Sequence, residues 1–443
     1  MHDHTIRSLT LAGRPALGGF LLLASMATIP AAMPAAETDA VTPAQPSFAD
    51  ALMKGKVALN ARYRYEFYDQ ESVPGSTTAA NGLITDEARA STVRVALSYA
   101  TQPFYGFNAF VEMEGVYAIG AHQDYRIPNT PDQGAKTQPV ISDPLQTELN
   151  QAYVKYQGPA KVPLMFLAGR EAYFLNNGRF ISFSGWRQNT QSIELARGAY
   201  RFGDVTANYA FMNRVRRVVG TDATDGVLDM SSHVAHLDYK RDAMVSASLY
   251  AVLLDYDDQA QAANDTRSVG LRLNGPWKLD ADWSVVYTAD YARQRDYADN
   301  TRDVDLNYWT LELGPSYKGH RLFLGWSELE GDGIVSFRTP LAQPFNGWVE
   351  KFLNTPITGL DARYATLTGP VPSVTGLTYT LTGYDYHATE GDAHYGRELD
   401  AALEWKAEPI LKNLTLGWRF GDYIADELFT DSLRTSVYTA LSL

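Results

Sequence analysis

No cysteine occurs among the 443 residues, which removes thiolate metal sites and cysteine nucleophiles and suits passage through an oxidising compartment. No stretch reaches 18 uninterrupted apolar residues, so no transmembrane helix is predicted. Positive charge is in deficit, with 38 Lys and Arg against 51 Asp and Glu and a formal charge of −13. That balance argues against a nucleic-acid partner, because phosphate binding needs a basic footprint. A G-x-S-x-G nucleophile motif is absent as well, and Phe183-Ser184-Gly185 lacks its context. Asp255, Asp257, Asp258 and Asp265 lack the glycine and terminal glutamate of an EF-hand loop and read as solvated charge, so no metal site or cofactor is expected.

Aromatic residues are abundant, with 27 Tyr, 18 Phe and 8 Trp. They fall into stretches of about ten residues in which apolar and polar side chains alternate, the period of a strand with two unlike faces. The stretches run near 57–67, 91–100, 106–117, 148–157, 163–171, 191–202, 204–213, 232–241, 244–255, 266–274, 282–292, 306–317, 320–329, 360–368, 376–386, 396–406, 413–421 and 433–443. Short turns such as Gly203, Asp242-Ala243 and Lys318-Gly319 alternate with long segments such as 118–147, 172–190 and 330–359. The pattern predicts an all-β fold, a transmembrane antiparallel up-and-down barrel of about 18 strands in the bacterial outer membrane. Such a barrel leaves an aqueous channel, whereas about eight strands would be filled by side chains.

Parity assigns the faces. Val57, Leu59, Ala61, Tyr63, Tyr65 and Phe67 alternate with Asn60, Arg62, Arg64 and Glu66. Arginine in hydrocarbon at mid-depth costs about 2–4 kcal/mol, so the charged set faces the lumen. The same reading turns Arg94, Arg272, Arg321, Arg419 and Arg434 inward, together with Glu112, Glu114, Glu312, Glu398, Asp400 and Glu404. Stretches 163–171 and 191–202 alternate less cleanly. At the N-terminus, Arg7 and Arg14 precede the apolar run 16–27, an export signal within 1–36 cleaved after Ala27 or Ala36. Residues 37–55 then read as a flexible leader into a single barrel domain over 56–443.

Two segments exceed what generic loops need. The first joins Glu148-Leu149-Asn150-Gln151-Ala152-Tyr153, Gly169-Arg170, Asn177-Gly178-Arg179-Phe180-Ile181 and Gly185-Trp186-Arg187-Gln188-Asn189-Thr190-Gln191. The second runs from Thr339-Pro340-Leu341 through Asn346-Gly347-Trp348 and Phe352-Leu353-Asn354-Thr355-Pro356 to Gly359-Leu360, departing from the family pattern at Val349-Glu350-Lys351. Together these segments resemble the alginate export family of outer-membrane porins over about 55–443. The resemblance implies an eighteen-stranded passive channel with an arginine-rich lumen that passes anionic polysaccharide or oligosaccharide.

Candidate pore-lining residues are therefore Arg62, Arg64, Arg94, Arg272, Arg321 and Arg419. Arg170, Arg179 and Arg187 are placed at a mouth or constriction, and Trp186 and Trp348 either stack on sugars or anchor loops. Inward arginines in barrels also pair with inward carboxylates, a purely structural role. Loop 330–359 is expected to be ordered, folded into the lumen or capping the mouth. A general small-solute uptake porin is the alternative function and an outer-membrane hydrolase a third. Tyr384, Tyr386, His387 and Glu390 offer groups for hydrolytic chemistry, but tyrosines at strand ends more often form an interfacial girdle. Expected partners are the anionic cargo or other small solutes, outer-membrane lipid and periplasmic export proteins.

Overall fold

The computed structural model describes residues 46–71, 87–128, 130, 138–241 and 244–443. The expected export signal, most of the leader and the Asp242-Ala243 turn lie outside those residues. Eighteen strands follow in chain order: β1 Lys56–Gln70, β2 Glu87–Ala100, β3 Phe107–Asp124, β4 Thr147–Gln157, β5 Leu164–Glu171, β6 Ser192–Phe202, β7 Val205–Arg216, β8 Val227–Lys240, β9 Ser246–Leu254, β10 Thr266–Lys278, β11 Trp283–Asp296, β12 Asp305–Tyr317, β13 His320–Leu329, β14 Leu360–Pro370, β15 Leu377–His387, β16 His394–Lys406, β17 Leu414–Ala425 and β18 Ser432–Ser442. Every strand pairs antiparallel with its sequence neighbours, and β1 also pairs with β18, with Asn60 opposite Ser442 and Gln70 opposite Ser432. The sheet closes, so no edge is left with unpaired backbone groups in lipid.

The alternation sets the two surfaces. On β13, Leu322, Leu324 and Trp326 are exposed outward while Ser327 is buried. On β16, Leu399 and Leu403 face out while Glu398, Asp400 and Glu404 are buried inside. The short turns use tight geometry. Lys318 and Gly319 both take positive φ, 48° and 87°, the primed two-residue turn that matches strand twist. Several strands carry bulges. Register shifts lie between Glu112 and Met113 on β3, Glu194 and Leu195 on β6, and Met212 and Arg214 on β7. The extra residue at the second of these is Asn213 on β7, so β6 keeps its parity; the sequence reads unevenly near 191–202 because apolar Ile193, Leu195 and Ala199 are buried on its inner face.

The leader differs in part from its expectation. Residues Phe48–Met53 form a short helix, α1, capped by the Ser47 hydroxyl, which accepts from the Asp50 amide at 3.0 Å. The Gln102 amide donates to the Ala51 carbonyl at 3.0 Å, tying α1 to the turn after β2.

Candidate functional site

The lumen is not an open pipe at its long-loop end. Loop A (172–191) and loop B (330–359) fold inward and join each other there. Ile181 and Leu341 form a parallel bridge, the Ser182 amide donates to the Leu341 carbonyl at 2.9 Å, and the Gln191 side chain donates to Ser182 and Leu341 carbonyls at 2.6 and 3.2 Å. Apolar burial drives this inlay. Phe180 of loop A packs on the inward rings of Tyr250 and Tyr308 and on Phe337 of loop B, with centroids 5.1, 5.9 and 6.1 Å away. Phe352 of loop B sits 4.5 Å from Tyr386 and 5.5 Å from Phe429. Loop 330–359 is therefore folded into the lumen, the first of its two expected placements.

The inward arginines hold these loops. Arg62 on β1 donates to the Gln188 side chain at 2.9 Å and to the carbonyls of Gly185 and Arg187 at 2.8 and 2.5 Å. Arg64 is fully buried, donates to the Trp186 carbonyl and to Asp143, and lies 3.1 Å from Glu66. Arg187 of loop A spans from Glu66 of the wall, at 3.4 Å, to Glu350 of loop B, at 2.5 Å. Arg434 on β18 repeats the span, reaching Glu66 at 2.5 Å and Glu350 at 2.8 Å. Two carboxylates thus sit between the same two guanidiniums, with charge-assisted hydrogen bonds offsetting desolvation. Burial works to raise the Glu350 carboxyl, and Arg187 and Arg434 outweigh it and hold the group below its ordinary range. Next to it, Lys351 lies among Tyr68, Tyr423 and Phe429 at 5.8–5.9 Å, and burial pushes its amine down to about 7.

A second feature is aromatic. The Arg419 guanidinium lies 3.7 Å from the centroid of Trp186 and 5.2 Å from that of Trp348, so one cation is stacked between the two loop tryptophans. Arg64 and Arg62 approach the same Trp186 ring at 4.7 and 6.0 Å. Arg179 is buried over Phe345 at 4.0 Å and Tyr308 at 5.3 Å, and donates to the Ser327 hydroxyl at 3.2 Å. Elsewhere on the inner wall Arg94 pairs with Glu114 at 2.5 Å and Arg272 with Asp290 at 3.0 Å. Arg321 faces inward nearer the short turns, where Asn60, Lys155, Asn208 and Asn274 also point inward and are partly exposed.

One expected position is corrected. Arg170 shares its face with exposed Phe166, whereas Met165 and Leu167 are buried on the inner side, so it lies on the outer surface near the rim. There it meets Glu194 at 2.7 Å and the Leu149 carbonyl, and Arg216 approaches the same glutamate at 3.5 Å. Asp143 and Glu350 carry much of the inner network, yet neither is visible as a site residue in the sequence. Asp143 sits in a long segment with no motif, and Glu350 lies where the chain departs from the family pattern.

A family model described as "Alginate export" matches residues 54–323, more than half of the chain. No curated protein matches it in sequence. Solved structures share the fold at low identity. Pseudomonas aeruginosa OccK9 (OpdG) superposes with a TM-score of 0.67 at 15% identity, covering 89% of this chain and 99% of that one. Acinetobacter baumannii OccAB3 gives 0.67 at 13% identity, over 88% and 99%. Pseudomonas aeruginosa OpdK, solved with vanillate, gives 0.68 at 13% identity, over 88% and 98%. With the family model matched over more than half of a closed eighteen-strand barrel with an apolar outer surface, this chain belongs to the alginate export family of outer-membrane porins.

Proposed function

We propose that the channel passes acidic saccharides of the uronate class by passive diffusion, and that the two inlaid loops form its selective section. A uronate chain carries one carboxylate per sugar, and a narrow lumen strips hydration from each of them. Guanidiniums replace that hydration while staying charged at any relevant pH. The observation that carries the reading is the stack of Arg419 between Trp186 and Trp348. It puts sugar-sized aromatic planes and a carboxylate-binding group in one place, and a stacked guanidinium hydrogen-bonds through its edge. Passage also requires weak, repeated binding, and the inward cations Arg94, Arg272, Arg321 and Arg419 are spread around the wall.

A second reading, uptake of small solutes, is favoured by a different observation. Arg62, Arg64, Arg187 and Arg434 are engaged by loop carbonyls and carboxylates, which lowers the cationic charge offered to a long polyanion. Planar-bilayer recording separates the two. Oligomannuronate should interrupt the current at concentrations where neutral oligosaccharides do not, and Arg419→Gln should weaken that block and lower anion over cation permeability. Block by small carboxylates alone supports the second reading, and clear cation selectivity of the wild type removes the first.

A further inference from the structure

Outside the lumen, at the long-loop end of the β15–β16 hairpin, two imidazoles and a carboxylate converge. Asp385 and His387 are two residues apart on β15 and so share one face, and the exposed Leu381 and Gly383 on the same parity mark it as the outer face. His394 opens β16. Tyr386 pairs with Gly396 while His387 pairs with His394, so Tyr395 is an extra residue on that strand. Without this bulge His394 would share the inward face of Gly396 and Glu398; with it, the imidazole is turned out beside His387. Tyr395, the bulged residue, is buried on the inner side, 6.0 Å from Phe352.

The geometry suits a cation. His387 Nε2 lies 3.0 Å from one oxygen of Asp385 and His394 Nε2 lies 2.9 Å from the other, and the imidazole centroids are 4.7 Å apart. One candidate ligand atom from each of the three residues lies within 4.8 Å of the others. In a tetrahedral Zn²⁺ site, bonds of about 2.1 Å set ligand atoms roughly 3.4 Å apart, so small side-chain rotations suffice. His394 is also oriented from behind, because its Nδ1 lies 2.8 Å from Asp426 in the loop after β17. A carboxylate on the far nitrogen is the usual partner of a metal-bound imidazole, fixing its tautomer and raising its basicity. Arg397 Nε donates to Asp385 Oδ1 at 3.0 Å, but its side chain is 72% exposed and can swing into water.

We propose that Asp385, His387 and His394 bind one divalent transition-metal ion of the Zn²⁺ class, with Asp426 as a positioning residue and water in the fourth position. Two imidazoles with one carboxylate exclude Mg²⁺ and Ca²⁺, which take oxygen ligands. Both nitrogens of His394 face carboxylate oxygens, which only accept, so in the ion-free cluster each carries a proton. The metal takes the place of the Nε2 proton on each imidazole; that of His394 leaves to solvent, and that of His387, whose Nε2 also faces an Asp385 oxygen, leaves to solvent or is replaced by one on its Nδ1. Bound there, the ion staples β15 to β16 at the outer rim, a role independent of the cargo.

The test uses the full chain, refolded in detergent without a histidine tag and stripped with chelator. Zn²⁺ is titrated by calorimetry, and Co²⁺ is followed by its visible absorption. One saturable site is expected, with tetrahedral Co²⁺ bands, weakened at least about 100-fold by His387→Ala or His394→Ala and about 10- to 100-fold by Asp426→Asn. The heat-dependent gel shift of the barrel checks that each variant is folded. Binding no tighter in the wild type than in the His387→Ala/His394→Ala double variant, or displacement of Zn²⁺ by equimolar Mg²⁺, overturns the proposal and leaves a hydrogen-bonded His–Asp–His cluster.

Discussion

Glu350 joins both inlaid loops to the barrel wall, and its removal tests whether ion pairs or apolar packing keep them docked. Its carboxylate is nearly buried and meets Arg187 at 2.5 Å and Arg434 at 2.8 Å. In Glu350→Gln both guanidiniums keep their charge and lose one of two compensating anions, with Glu66 left to serve both. Breaking a buried pair by removing one partner costs about 3–5 kcal/mol. Gln still accepts one hydrogen bond and the lumen admits water, so the lower end applies. At 1.4 kcal/mol per tenfold, a loss of about 3 kcal/mol raises the undocked population of loop B roughly 100-fold. Trypsin cleavage after Lys351 in the folded barrel reads that population directly, as long as docking is fast relative to cleavage. The expected result is cleavage accelerated about 100-fold in Glu350→Gln, with the barrel's heat-dependent gel shift unchanged. Glu390→Gln, in an exposed loop outside the cluster, serves as the control. Cleavage of Glu350→Gln at the wild-type rate would refute the ion-pair account and leave Phe180 and Phe352 as what holds the loops.

Lys351 gives a pH signature. Burial lowers its amine from the ordinary lysine range to about 7, so the undocked loop binds more protons than the docked one between there and the ordinary value of about 10.5. Docking of loop B therefore tightens as pH rises through that window, and one inner positive charge is lost near pH 7. The reversal potential in a salt gradient should shift toward cations between pH 6 and 8, as judged against about 7 for the amine, and Lys351→Met should remove the shift. A packing prediction concerns Gly417, which faces Tyr438 across the β17–β18 pair. A Cβ there would stand 2.0 Å from the Tyr438 ring, whose hydroxyl donates to Glu404 at 2.7 Å. Gly417→Val should displace that ring and cost about 1–3 kcal/mol, seen as a lower midpoint of the heat-dependent gel shift. A midpoint equal to the wild type would mean that the ring relocates freely.

Strand number, order and facing were legible in the chain because they follow from local rules. A membrane strand must alternate, and Arg64 beside Tyr63 and Tyr65 leaves one assignment that keeps charge out of lipid. All eighteen expected stretches overlap observed strands. Misreadings fall where polarity does not mark the face or where a bulge shifts it. The expected placement of Arg170 at a mouth or constriction failed because that stretch buries Met165 and Leu167 on its inner face, so alternation of polarity gave no clear facing there. His394 reaches the outer face through such a bulge, so no alternation count could have paired it with His387.

What the sequence determined by itself was the container: a closed sheet of known strand count with its charged side chains turned inward. Periodicity and the cost of burying charge in hydrocarbon are properties of short segments, readable without knowing what lies across the lumen. Only the tertiary structure decided what fills that container. Arg62, Arg64, Arg187 and Arg434 were visible as cations, but their partners are Gly185, Asp143, Glu66 and Glu350, up to hundreds of residues away in sequence. Whether an inward arginine meets a solute, a loop carbonyl or a carboxylate depends on which segments closure of the barrel brings opposite it, and that is a property of the closed ring rather than of any one strand.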